Sequence, residues 1–158
     1  MKAKLSVLFS TFFKVGFFPV MPGTIGSFIA LIIYLLLPDN IFTEYVIYSL
    51  PALLLLSLIS VYFISEAEKK LGHDSGKIII DEVCGYFFAV ILLPKKLLVI
   101  ILSIILFRIF DILKPEPVNV LQKLPRGWGG MADDIMAGIY ANVSIRIIIY
   151  LKEIICGF

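Results

Sequence analysis

The sequence predicts an all-α, polytopic membrane protein: a single domain over residues 1–158, with about four to five membrane-associated helices and an N-terminal interfacial helix. Three observations carry this. Hydrophobic residues make up 60% of the chain and charged residues only 16%, whereas soluble domains run near ~45–50% and ~25%. The mean hydropathy is +1.02. The apolar runs have helical length and lack the period-2 alternation of a membrane barrel. A net charge of +2, with basic residues scattered among apolar runs, excludes a nucleic-acid footprint. Cys84 and Cys156 lie far apart inside apolar segments without metal-ligand spacing, so both read as small buried hydrophobes.

Lys2 and Lys4 precede the apolar stretch Leu5 to Phe13, which Lys14 interrupts with no small-residue cleavage site after it. That stretch is too short to span and suits a retained helix at the interface. Ile25 to Leu37, extended at either end, and Tyr45 to Ser65 are the first two spans, separated by the turn-like Pro38, Asp39 and Asn40. Val83 to Leu93 and Leu97 to Phe107 are each shorter than a full span and meet at Pro94, Lys95 and Lys96, which predicts a tight helical hairpin with snorkelling lysines. The last span covers Ile135 to Ile155, where Arg146 and Lys152 require a tilt, a partly interfacial position or a polar neighbour.

Basic residues orient the chain. Lys2, Lys4 and Lys14 precede the first span, Lys69, Lys70 and Lys77 lie between the second and third, and Lys114, Lys123 and Arg126 precede the last. These segments are expected in the cytoplasm, and the loop from Pro38 to Glu44, which has no Lys or Arg, outside. Lys95 and Lys96 dissent from that rule.

With this topology the unusual polar residues collect on one side. Pro22, Gly23, Thr24, Ile25, Gly26 and Ser27 open the first span, Asp81 and Glu82 the third, and Asp133 and Asp134 the last, while Arg108, Asp111 and Lys114 close the fourth. The first stretch is either an ordinary helix start with Thr24 as N-cap, or a phosphate cradle of backbone N–H groups around Gly26 with the Thr24 and Ser27 hydroxyls. The acid pairs could merely complement helix dipoles, worth roughly 0.3–1 kcal/mol. A carboxylate near hydrocarbon costs on the order of 2.5–3.5 kcal/mol, so Asp81, Glu82, Asp133 and Asp134, with Asp111 besides, need a stronger reason. A divalent cation would hold them together, and oxygen ligands without His or Cys favour Mg²⁺, with Mn²⁺ as a substitute, over zinc. Arg108 and Lys114 could pair with Asp111 or neutralise a substrate phosphate, with Asp111 orienting one of them or touching metal. His73 and Asp74 read as turn residues, and Trp128 as an interfacial anchor.

Taken together, Pro22-Gly23-Thr24-Ile25-Gly26-Ser27, Asp81-Glu82 with Gly85, the group Arg108, Phe110, Asp111, Lys114, Pro115 and Pro117, and the group Met131, Asp133, Asp134, Ala137 and Gly138 make a chain that resembles the phosphatidylglycerophosphatase A family over about residues 16 to 142. The resemblance implies a Mg²⁺-dependent lipid phosphatase of the bacterial inner membrane, facing the cytoplasm and converting phosphatidylglycerophosphate to phosphatidylglycerol. Asp81, Glu82, Asp133 and Asp134 are then expected to hold metal. Thr24, Gly26, Ser27, Arg108 and Lys114 are expected to bind substrate, and Asp111, Lys114 and Asp134 to act in catalysis. The base, an aspartyl-phosphate intermediate and the number of metals stay open. No Cys-x5-Arg loop is present, and the lone His73 excludes a histidine pair. The rival from another class is a divalent-cation transporter or channel lined by the same acids, which should set them at mid-membrane depth. A structural or lipid-binding membrane protein is the third reading.

Overall fold

A computed structural model describes residues 2–156, leaving aside the side chain of Cys156, so the reading of that cysteine lies outside the described residues. The described residues form seven α-helices and one 3-10 turn, with no strand: α1 Lys2–Ser10, the turn Val15–Phe17, α2 Pro22–Leu36, α3 Val46–Leu71, α4 Ile80–Val90, α5 Leu97–Leu113, α6 Val118–Leu121 and α7 Trp128–Cys156. The all-α expectation is met. Two helices, α3 and α7, are long and apolar enough to cross a membrane.

The arrangement centres on α4. Only 11 residues long, it is buried along nearly its whole length and packs most extensively on α7, then on α2 and α5. Small residues allow this. A Cβ added at Gly85 would lie 2.7 Å from the Asp134 carbonyl oxygen and 2.8 Å from the Asp134 Cβ, and one added at Gly138 would strike the Gly85 carbonyl. Backbones therefore touch across α4 and α7, the device by which helices associate where no hydrophobic effect drives them together. The two short helices expected to meet at Pro94 to Lys96 do follow one another and pack together, with unequal roles. One partner is the core of the bundle, and the other, α5, runs on to Leu113. Tyr86 and Ser103 join them through a buried hydroxyl pair 2.9 Å apart.

The charged residues that fitted the topology poorly have structural employment. Lys95 pairs with Asp39 at 3.0 Å and donates to the carbonyls of Leu37 at 2.8 Å and Leu35 at 3.0 Å, so it closes the C-terminal end of α2. Arg146 donates to Asn142 Oδ1 at 2.8 Å and to the Leu92 carbonyl at 3.0 Å, while Asn142 donates to the Ile91 carbonyl at 2.7 Å. For Arg146 the expected polar neighbour is present: Arg146 and Asn142 satisfy the orphan carbonyls at the end of α4. Cys84 is buried, 3.9 Å from the Ser60 hydroxyl, as a small core residue.

Two boundaries differ from expectation. The residue before α2 is Met21, in the left-handed region at φ 46, and Thr24 lies inside the helix without capping it. Pro22 supplies the preorganised first turn instead. Helix α7 begins at Trp128, so Asp133 and Asp134 stand in its second turn, where the dipole benefit has largely faded.

Candidate active site

Four helix segments deliver polar side chains to one end of the bundle: the start of α2, the first turn of α4, the last turn of α5 and the second turn of α7. Between the last three lies a cavity of about 60 Å³, walled by Asp81, Glu82, Asp111, Lys114, Asp133 and Asp134, among others. That is room for a few waters or one compact anion.

Its charges divide into two groups. Ligand atoms of Asp81, Glu82 and Asp134 all lie within 4.8 Å of one another. Glu82 Oε2 and Asp134 Oδ1 are buried and unpartnered, and Asp134 is only 4% exposed. Burying such groups without a counter-charge is costly, and three converging oxygens with free lone pairs are the donor set a hard divalent cation takes. A Cβ added at Gly130 would meet Asp81 Oδ2 at 2.6 Å, so a glycine is what leaves that carboxylate its room.

Asp133 goes elsewhere. Adjacent in sequence to Asp134, it points around the helix to Lys114 and forms an ion pair with it. The four carboxylates expected to hold metal therefore separate into a cluster of three and a fourth bound to lysine, with Asp133 Oδ1 still unpartnered. Lys114 caps α5 in the left-handed region at φ 44. Burial alone would lower its affinity for a proton, but the hydrogen bond and charge of Asp133, with Asp111 and Asp134 behind them, hold the ammonium above the ordinary lysine range.

Arg108 Nη1 donates to Asp111 Oδ2 at 2.6 Å and to Ser27 Oγ at 3.3 Å, while Ser27 donates to the Gly23 carbonyl at 3.0 Å. Thr24 Oγ1 and Arg108 Nε are buried without a partner. A Cβ added at Gly23 would strike Glu82 Oε1, and one added at Gly26 would come within 3.0 Å of the Ile79 carbonyl. The start of α2, Arg108 and the acid cluster are thus contiguous: a donor-rich edge beside a carboxylate-rich one.

Sequence reasoning missed Glu68. Its side chain is 9% exposed, lines the same cavity, lies 2.9 Å from His73 Nδ1 and accepts from the Asp74 backbone N–H at 3.1 Å. Nothing in the charged run Glu66, Glu68, Lys69, Lys70 separates it from a solvated neighbour. Asp74, read as a turn residue, does sit at φ 51, yet it also lines the cavity and accepts from Gln122 Nε2 at 2.5 Å.

The model of the family described as phosphatidylglycerophosphatase A matches residues 8–149. The chain belongs to that family. Among curated relatives, the phosphatidylglycerophosphatase A of Haemophilus influenzae is 33% identical over 142 residues, covering 87% of this chain and 85% of its own. That of Escherichia coli is 34% identical over 130 residues, covering 80% and 73%. A Bacteroides thetaiotaomicron protein with the provisional name phosphatidylinositol-3-phosphatase is 33% identical over 150 residues, covering 90% and 92%. No solved structure matches. Membership of the phosphatidylglycerophosphatase A family makes the chain a phosphatase. The transport alternative finds no support: the carboxylates gather at one end of the bundle, not along a path through it.

The Lys114–Asp133 pair yields a stability prediction. Replacing Lys114 by Met leaves Asp133, 2% exposed, as an uncompensated buried charge. Breaking one side of such a pair costs about 3–5 kcal/mol, so thermal unfolding in detergent should show a clearly lower midpoint, most of which the double variant Lys114→Met/Asp133→Asn regains. A single variant as stable as the parent would show that the pair contributes nothing.

Proposed function

We propose that this chain hydrolyses the terminal phosphate monoester of phosphatidylglycerophosphate to phosphatidylglycerol and inorganic phosphate, in a Mg²⁺-dependent reaction at the cytoplasmic face of the inner membrane. The observation that carries the reading is the acid cluster Asp81, Glu82 and Asp134, with its unpartnered oxygens, set against Lys114 around one small cavity, with Arg108 held beside it by the lining residue Asp111. Family membership and the names of the Haemophilus and Escherichia relatives favour the substrate. The lengths of α2 and α5 favour membrane-associated helices beside α3 and α7, with α4 sheltered among them, which supports a count of four to five. The basic residues flanking the site side of the bundle favour the cytoplasmic orientation.

In this mechanism Asp81, Glu82 and Asp134 would hold the cation, and Asp133 would act on it only indirectly, through Lys114. Bound Mg²⁺, or Mn²⁺ in its stead, supplies charge neutralisation at the phosphate and a more acidic water. The protein's own groups do the rest. Arg108 and Lys114 present N–H donors to the equatorial and departing oxygens, as phosphoryl transfer requires. Asp111 fixes the Arg108 guanidinium from one side while Ser27 accepts from it on the other. Thr24 offers an unused hydroxyl, and the first turn of α2 offers the free backbone N–H groups of Gly23 and Thr24, whereas Gly26, further into the helix and buried against Ile79, serves close packing instead of the expected phosphate contact. A carboxylate of the cluster takes the proton of the attacking water.

The test is phosphate release by the purified protein in detergent, with phosphatidylglycerophosphate, phosphatidylinositol 3-phosphate and phosphatidate as substrates. Turnover should be fastest on the first, vanish in excess EDTA and return with Mg²⁺. Turnover that ignores EDTA rejects the metal requirement. Faster release from the phosphoinositide would move the assignment toward the activity named for the Bacteroides relative.

A further inference from the structure

Next to the acid cavity lies a second, more open one of about 420 Å³, lined by Ser65, Glu68, Lys69, His73, Pro125 and Arg126. The two share Glu68 as a common wall. Their characters are opposite. Seven carboxylates line the first, Glu68 and Asp74 included, against the single ammonium of Lys114. The second carries Lys69 and Arg126 over a surface that is mostly apolar.

This pairing matters for a lipid with two phosphates. The terminal monoester can enter a cation-assisted acid pocket, but the phosphodiester three carbons away keeps its own negative charge and would be repelled by the same carboxylates. It needs a basic resting place within reach of the reacting phosphate. Another groove with basic walls, around Lys4, Lys14 and Lys70, shares no lining residue with the acid cavity.

We infer that Lys69 and Arg126, in the cavity joined to the acid pocket through Glu68, bind the phosphodiester of the lipid headgroup and thereby set the preference for a doubly phosphorylated lipid. The inference rests on the proposed function and names a subsite for its substrate. Lys69 is free to serve: its one ion pair among the described residues is with Glu66 on the surface, an arrangement that costs little to open. Arg126 is exposed, and its backbone, at φ 58, lies in the loop just before α7. His73, held against Glu68, forms part of the wall.

The product, phosphatidylglycerol, retains the phosphodiester and lacks the terminal phosphate, so its binding reports on this subsite alone. Steady-state kinetics and direct phosphatidylglycerol binding are measured on the full chain in mixed micelles for the parent, Lys69→Gln, Arg126→Gln and, as a charge control outside the cavity, Lys123→Gln. Either cavity variant should raise KM and weaken phosphatidylglycerol binding by the same roughly three- to tenfold factor, with kcat within about twofold of the parent. Lys123→Gln should change neither. Unaltered KM and phosphatidylglycerol binding in both cavity variants would overturn the subsite, and so would an equal effect of Lys123→Gln. A parent protein without turnover on phosphatidylglycerophosphate rejects the proposed function instead, and the binding arm still decides this inference.

Discussion

Replacing Asp134 by Asn should reduce phosphate release by at least about 10³-fold while leaving a folded, membrane-inserted protein. Asn keeps the size and shape of the side chain, so packing between α4 and α7 is undisturbed. What it removes is one charge from three carboxylates whose ligand atoms lie within 4.8 Å. The two consequences have opposite sign. In EDTA the variant loses a repulsion that the folded parent must tolerate, so its unfolding temperature should equal or exceed the parent's. With Mg²⁺ the parent should gain stability by mass action, and the variant, short of a ligand, should gain much less. Activity within about tenfold of the parent, or an undiminished Mg²⁺-dependent rise in unfolding temperature, would remove Asp134 from the proposed metal site.

Gly85→Ala should also damage activity, by about a factor of ten less, although it touches no charge. The added methyl group would meet backbone and Cβ atoms of Asp134 at 2.7–2.8 Å, and none of these can swing aside as the end of a long side chain could. The helices must separate, at an overpacking cost of about 1–3 kcal/mol. Asp81 and Glu82 ride on one of them and Asp134 on the other, so the cluster opens as well. A misplacement of about 1 Å in such a site costs on the order of 10²-fold in rate. The measurements are kcat/KM and the midpoint of thermal unfolding. A variant matching the parent in both would mean that backbone contact between α4 and α7 is not what positions the carboxylates.

The order of the helices and the gathering of polar residues at one end were legible in the linear chain because both follow from the cost of burying charge in hydrocarbon. Grouping within the site was not. Asp133 and Asp134 are neighbours in sequence but about 100° apart around a helix, so one faces Lys114 and the other faces Asp81 and Glu82. Glu68 was hidden for a similar reason: α3 continues to Leu71, past the apolar run, and turns one acid of a charged stretch inward. Lys95 and Arg146 looked like exceptions to the topology because their partners, the ends of α2 and α4, are distant in sequence.

The residues themselves determined an all-helical chain of strongly apolar composition, the family to which it belongs and the identity of the acids and bases available for chemistry. Tertiary structure alone decided which three carboxylates converge, which one is bound to lysine, and which short apolar helix becomes the centre of the bundle. Hydropathy measures how much a segment avoids water, and in that measure lipid and protein interior are alike. Only packing distinguishes them, and small residues such as Gly85 and Gly138 let two backbones meet and carry the charges on them into register.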